Sequence, residues 1–112
     1  DALLGALSLG DIGKYFPPTD EKWKNADSLI LLSEIIYIIR KEGWEVNNLD
    51  SVIVAERPKI MPYVDSMKKN ISETLNIDED LIGIKATTNE KLGPEGREEG
   101  ISCHSVVLLE KK

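Results

Sequence analysis

Apolar positions recur at helical spacing in three stretches of the chain and form short β-branched runs in three others. Leu3, Leu4, Leu7 and Leu9 predict a helix over residues 2–9, stopped by Gly10, with Gly13 following in a loop. A helix this short is marginal alone, so its first turns are expected upstream of Asp1. Residues 14–27 read as loop, because Pro17-Pro18 blocks regular structure and holds Phe16 extended. Asp27 or Ser28 can cap a second helix with the apolar stripe Leu29, Leu32, Ile35, Ile36 and Ile39. Arg40 and Lys41 in its last turn and Gly43 just beyond are its stop signal. Residues 50–56 are short and β-branched, which predicts a buried strand. Pro58 and Pro62 bracket a tight loop, and Pro62 suits the first turn of a third helix with the stripe Val64, Met67, Ile71 and Leu75. Residues 82–87 and 101–109 are the other strands, and the glycine-containing loop 93–100 between them suits a long hairpin. Residues 44–46 allow one more short strand.

The order helix, helix, strand, helix, strand, strand predicts a mixed β-sheet with helices packed on one face. The fold class is α/β of the α+β sandwich kind, in one domain over residues 1–112. Only 5% of residues are aromatic, so Ile, Leu and Val must build the core. The net charge of −6 argues against nonspecific nucleic-acid binding, which needs a basic face, but leaves room for a local cationic pocket. The single cysteine, Cys103, can form no intrachain disulfide and suits a reducing, cytoplasmic compartment. It reads as a small core residue. No apolar run reaches membrane-span length, and no secretory signal is visible. A start at Asp1 without methionine points to truncation, processing or a piece of a longer chain.

Three segments can carry chemistry. Lys85-Ala86-Thr87-Thr88-Asn89-Glu90-Lys91-Leu92-Gly93 begins at a strand end and runs into a loop, a common ligand position in such sheets. Two threonines supply the hydroxyl and N–H donors a diphosphate needs, and Glu90 supplies a hard oxygen for Mg²⁺ or Mn²⁺. Spacing alone favours a plainer arrangement, a hydrophilic turn with Glu90 in solvent. Asp11 in Gly10-Asp11-Ile12-Gly13-Lys14 can hold ribose hydroxyls or merely cap a loop. The loop Ala55-Glu56-Arg57-Pro58-Lys59-Ile60-Met61-Pro62 can read a base edge with rigid backbone groups, or simply connect strand to helix.

Together, GDIGKYFPPTD (residues 10–20), AERPKIMP (residues 55–62) and KATTNEKLGPEGREEGI (residues 85–101) resemble the 2-C-methyl-D-erythritol 2,4-cyclodiphosphate synthase family in order and spacing. The resemblance implies a lyase of the methylerythritol phosphate route to isoprenoids. It implies a homotrimer with active sites between subunits. The substrate would be a cytidine diphosphate ester of methylerythritol 2-phosphate, whose 2-phosphate closes onto the β-phosphorus and releases CMP. Asp11 and Gly13 match ribose contacts; Ala55, Pro58, Lys59, Ile60 and Met61 match the cytosine loop. Ala86, Thr87 and Thr88 match diphosphate contacts, and Arg97 is a further expected substrate contact. Thr88 and Glu90 match catalytic positions, with Glu90 the Mg²⁺ or Mn²⁺ ligand.

The chain departs from the family in four ways. The family's Zn²⁺ is held by an Asp and a His of a DxH motif and by a second His, all expected upstream of Asp1. The chain alone is therefore expected to be inactive, and a non-catalytic trimeric nucleotide-binding fragment or one domain of a fusion with the pathway's cytidylyltransferase are the rival readings. Pro18 stands where the family has an aspartate, and Asn89 where a third threonine is common. His104 stands where family members carry a glutamate facing the trimer's central cavity, the proposed seat of an isoprenoid diphosphate. The other reading of His104 is a partly buried strand residue without a ligand, and Trp23 and Trp44 read as packing or loop anchors.

Overall fold

The computed structural model describes residues 1–112. Five helical segments and three strands follow in the order α1 (Ala2–Ala6), α2 (Ile12–Tyr15), α3 (Ser28–Lys41), β1 (Trp44–Val54), α4 (Val64–Leu75), β2 (Ile82–Thr87), α5 (Gly93–Gly96) and β3 (Ser102–Lys111). Short 3-10 turns over Glu21–Trp23, Met61–Tyr63 and Glu79–Leu81 lie between them.

The sheet is mixed, with strand order β2-β1-β3. β1 runs parallel to β2 from Leu49↔Ile82 to Val54↔Thr87, and antiparallel to β3 from Trp44↔Lys111 to Val54↔Ser102. The long hairpin expected between the last two strands therefore does not form. β1 is inserted between them, because its 11 residues are long enough to pair along both edges. The two strands expected at 44–46 and 50–56 are this one strand. The polar pair Asn47-Asn48 hides the continuity, and a register shift between Val46 and Asn48 lets the chain keep Val46 and Leu49 on one face. β1 is only partly buried along most of its length, not the buried strand its residues suggest.

α3 forms where expected. The Asp27 carboxylate caps it by accepting from Leu29 N–H at 2.8 Å, and Ile35, Ile36 and Ile39 are buried along its inner stripe. α1 stops at Ala6 rather than at residue 9, because Ser8 turns into left-handed backbone (φ 57°). The stretch expected as loop holds α2 and a 3-10 turn, and Gly13 lies inside α2. Both are too short for a periodic signal. Pro62 sits in the 3-10 turn that leads into α4.

α1 lies against β3 and α3, α3 against α4 and β1, and α4 against β2, so the helices share one face of the sheet. The core is Leu3, Leu4, Ile35, Ile36, Ile39, Val46 and Leu75, with Leu49, Val107 and Leu109 packed against it. Arg40, at the end of α3, donates to the Glu45 carboxylate of β1 and to the Leu75 carbonyl at the end of α4, tying three elements at one corner. The opposite sheet face is uncovered, and Val106 and Leu108 stand 66% and 60% exposed on it. The radius of gyration, 15.1 Å, exceeds the ~13 Å typical of a compact chain of this length, as one open face demands. Cys103, expected in the core, is exposed, because the helices do not cover this end of β3. His104, expected partly buried, is exposed on the uncovered face opposite Val52.

Ile39 is fully buried whereas Ile30 is 54% exposed on the same helix. Ile39→Ala should cost about 2–5 kcal/mol of unfolding free energy. Ile30→Ala should stay within about 0.5 kcal/mol. Urea titration of both variants checks this, and equal losses would place the helix face wrongly.

Candidate active site

The parallel pair β1 and β2 ends with both C-termini at the same edge, and the chain leaves each strand into a loop there. One further hydrogen bond, from Ala55 N–H to the Thr87 carbonyl at 3.0 Å, holds the two exits side by side. Between them opens a cleft of about 480 Å³ lined by Ala55, Glu56, Pro58, Lys59, Ile60 and Met61 from the first loop and Ala86, Thr87 and Thr88 from the second. Two segments distant in sequence, expected to hold a base and a diphosphate, thus form one concavity. Ile60 is buried and anchors the first loop, while Met61 is 83% exposed at the rim.

The second loop is tightly built. The Glu56 carboxylate accepts from Asn89 N–H at 2.8 Å, and Asn89 Nδ2 donates to the Leu92 carbonyl at 2.8 Å. Between these bonds Glu90 and Lys91 both adopt left-handed backbone, φ 53° and 62°. Gly96 packs on this turn so closely that a Cβ there would lie 2.2 Å from the Lys91 carbonyl carbon. Only glycine fits at that position. Glu90 itself is exposed, with its N–H 3.4 Å from Thr88 Oγ1. Sequence reasoning passed over Glu56, Asn89 and Gly96 as positioning elements. The left-handed turn they hold has no periodic signature, although the three glycines of 93–100 mark close backbone approach.

The other expected residues lie outside the cleft lining. Asp11 caps α2, accepting from Lys14 N–H at 3.2 Å, with Gly13 inside the helix it caps. This region borders a different apolar pocket, among Leu3, Ile12, Phe16, Leu31 and Ile35. Pro18 lies in the loop that Phe16 and Trp23 close by edge-to-face packing, with ring centroids 4.7 Å apart, so Trp23 is a loop anchor as expected. Arg97 pairs with Glu99, and Arg57 with Glu98 at 2.9 Å, which ties the first loop to the glycine-rich one.

His104 lies near Glu95 on the open face. The Ser102 hydroxyl donates to the Glu95 carboxylate at 2.8 Å. This hydrogen bond, with a backbone N–H and the charges of His104 and Arg97, holds the Glu95 carboxyl below the ordinary carboxylate range. A depressed carboxyl stabilises the fold above its unfolded-state value, and that contribution disappears as pH falls through the lower folded value. Ser102→Ala should therefore raise the Glu95 carboxyl toward its ordinary range and reduce stability at neutral pH. The two proteins should converge in strong acid. An NMR titration of the Glu95 side chain with paired denaturant melts tests this; an unmoved Glu95 titration would show that Ser102 is not the cause.

Comparison with known proteins gives this geometry a family. Residues 1–110 match the model of the YgbB family. The 2-C-methyl-D-erythritol 2,4-cyclodiphosphate synthase of Prochlorococcus marinus is 81% identical over all of this chain, which spans 68% of that protein. The synthase of Synechocystis is 63% identical, again over the whole chain and 70% of its own length. Among solved structures, the CDP complex of IspF from Plasmodium falciparum superposes with a TM-score of 0.87 at 38% identity, covering all of this chain and 67% of that one. The bifunctional IspDF of Campylobacter jejuni superposes with a TM-score of 0.96 at 46% identity, and this chain spans 30% of it. The chain belongs to the YgbB family, the family of the 2-C-methyl-D-erythritol 2,4-cyclodiphosphate synthases.

Proposed function

We propose that the full-length protein converts 4-diphosphocytidyl-2-C-methyl-D-erythritol 2-phosphate to the 2,4-cyclodiphosphate and CMP, in a single domain of which residues 1–112 are the larger part. The observation that carries this reading is the cleft between the ends of β1 and β2, where the AERPKIM and ATT segments face each other. An oxygen of the 2-phosphate attacks the β-phosphorus. The bond from that phosphorus to the bridging oxygen breaks, and the oxygen leaves with CMP. No enzyme nucleophile is required, so the protein need only position the groups and offset the developing charge.

In this reading the backbone of Pro58 to Met61, with Ala55, holds the cytosine. The Thr87 and Thr88 hydroxyls and the N–H groups of this segment, beginning at Ala86, donate to the diphosphate. Glu90 fits a Mg²⁺ or Mn²⁺ ion. Such ions are commonly held by one or two carboxylates together with substrate phosphates, and Glu90 is an exposed carboxylate two residues beyond Thr88. Bound there, the ion would act as a Lewis acid on the diphosphate. Zinc finds no ligand set in this chain, where no three His, Cys, Asp or Glu side chains converge and His104 stands on the open sheet face.

Asp11, Gly13 and Arg97 do not line the cleft, and a second subunit can supply them. A homotrimer with sites between subunits accounts for this separation and for the uncovered sheet face bearing Val106 and Leu108. His104 would then face the shared interior, where an isoprenoid diphosphate is the expected guest.

Turnover of the full-length protein, read as CMP release, is the direct test. Glu90→Gln should lower metal-dependent turnover much more than CMP affinity, since an amide is a poor hard-metal ligand. Equal losses would give Glu90 another role. Calorimetric titration should also show CDP bound about ten- to a hundredfold more tightly than UDP, because a fixed backbone acceptor that meets uracil O4 instead of the cytosine amino group is left unpaired. Equal affinities would reject base reading by this loop.

A further inference from the structure

Glu56 lines the cleft, yet one of its oxygens is already committed, accepting the Asn89 N–H at 2.8 Å. Asn89 in turn donates from its side chain to the Leu92 carbonyl at 2.8 Å. Glu90 and Lys91, the two residues just after Asn89, hold positive φ, a backbone conformation that costs free energy outside glycine. Such a turn persists only where its surroundings over-determine it. Glu56 belongs to the loop after β1 and Asn89 to the loop after β2, so their hydrogen bond links the two walls of the cleft directly, whereas the Arg57–Glu98 pair reaches only the later, glycine-rich part of the second loop. Its acceptor is a carboxylate oxygen, the kind of acceptor that makes the stronger hydrogen bonds.

We propose that Glu56 is a positioning residue that sets the register of the Thr87–Thr88–Glu90 wall against the base-holding loop, acting through Asn89. This rests on the function proposed above. Glu56 makes no demand on the nucleotide itself. It fixes where the threonine donors and the Glu90 carboxylate stand once the base is seated. Removing it should leave the base loop intact, since Ile60 is buried and the Ala55-to-Thr87 hydrogen bond is made by backbone alone. The Glu90 turn should then relax away from its place.

The test uses the full-length protein with three readouts: CMP affinity by calorimetry, turnover against Mn²⁺ concentration, and the thermal midpoint. Glu56→Ala should reduce kcat about tenfold or more and raise the Mn²⁺ concentration needed for half-activation, the scale of a hydrogen bond to a charged group. CMP affinity should change less than about threefold, the size of a weak neutral contact. Glu56→Gln keeps an oxygen that can accept from Asn89 N–H and should recover most of the lost turnover. Asn89→Ala, which removes the Leu92 contact, should shift Mn²⁺ activation in the same direction. Parallel loss of CMP affinity, turnover and thermal midpoint in Glu56→Ala would make Glu56 a general prop and overturn the proposal. So would unchanged kinetics, or a Gln variant as impaired as the Ala variant. A wild-type protein that binds CMP but releases none from the substrate would instead defeat the proposed function.

Discussion

The ladder between β1 and β2 is the constraint on which the site depends. Because these strands run parallel, their C-terminal ends lie at one edge, and the loops that leave them begin side by side. The ladder continues one bond past the strands, from Ala55 N–H to the Thr87 carbonyl. Everything that lines the cleft is within a few residues of that bond. A parallel pair needs a crossover, and α4 supplies it. Its packing on β2, with Leu75 fully buried at its end, holds the second strand in place. Arg40 then locks the end of α4 to α3 and β1 through the Leu75 carbonyl and the Glu45 carboxylate. A corner near the N-terminal end of β1, opposite the end that opens the cleft, thus helps to fix the strands that make it.

Much of this was legible in the residues. α3 and α4 announce themselves by spacing, and α3 also by Asp27 at its start and Gly43 just past its end; the end of α4 at Asn76, in left-handed backbone, was not read. The pairing of the strands was not legible. Strand order is set by contacts between residues distant in sequence, and Asn47-Asn48 made one strand look like two. The exposure of Cys103 and His104 was also missed. Strand alternation shows two faces but not how much of either the helices cover.

The site segments were legible for a different reason. Motif residues at strand ends need no long-range reasoning, and Ala55 to Met61 and Ala86 to Thr88 do meet in one cleft. What connects them was invisible. Glu56 to Asn89 spans the two loops, and Gly96 against Lys91 is a backbone contact that spacing cannot show. Asp11 and Gly13 belong to the same expected set, yet neither lines this cleft. One chain holds both parts of the set without bringing them together.

Charge decides how such a cleft can hold a polyanion. The chain carries a net charge of −6, and its cations near the site are largely engaged: Arg57 with Glu98, Arg97 with Glu99, Lys85 with Asp50. Lys59 is the one cationic residue in the cleft lining. Long side-chain cations are therefore not the main donors available to a diphosphate at this edge. In the proposed reading backbone N–H groups and the threonine hydroxyls take that part, although the Thr87 hydroxyl donates to the Thr88 carbonyl at 3.2 Å and must turn from it to meet a ligand. The Arg57–Glu98 pair joins the first loop to the glycine-rich loop, but with side chains 80% and 46% exposed it adds little rigidity; its effect is to partner a positive charge near the cleft. In the proposed reading the surplus negative charge of the ligand would fall to a divalent ion, with Glu90, in left-handed backbone two residues beyond Thr88, the carboxylate that would share it.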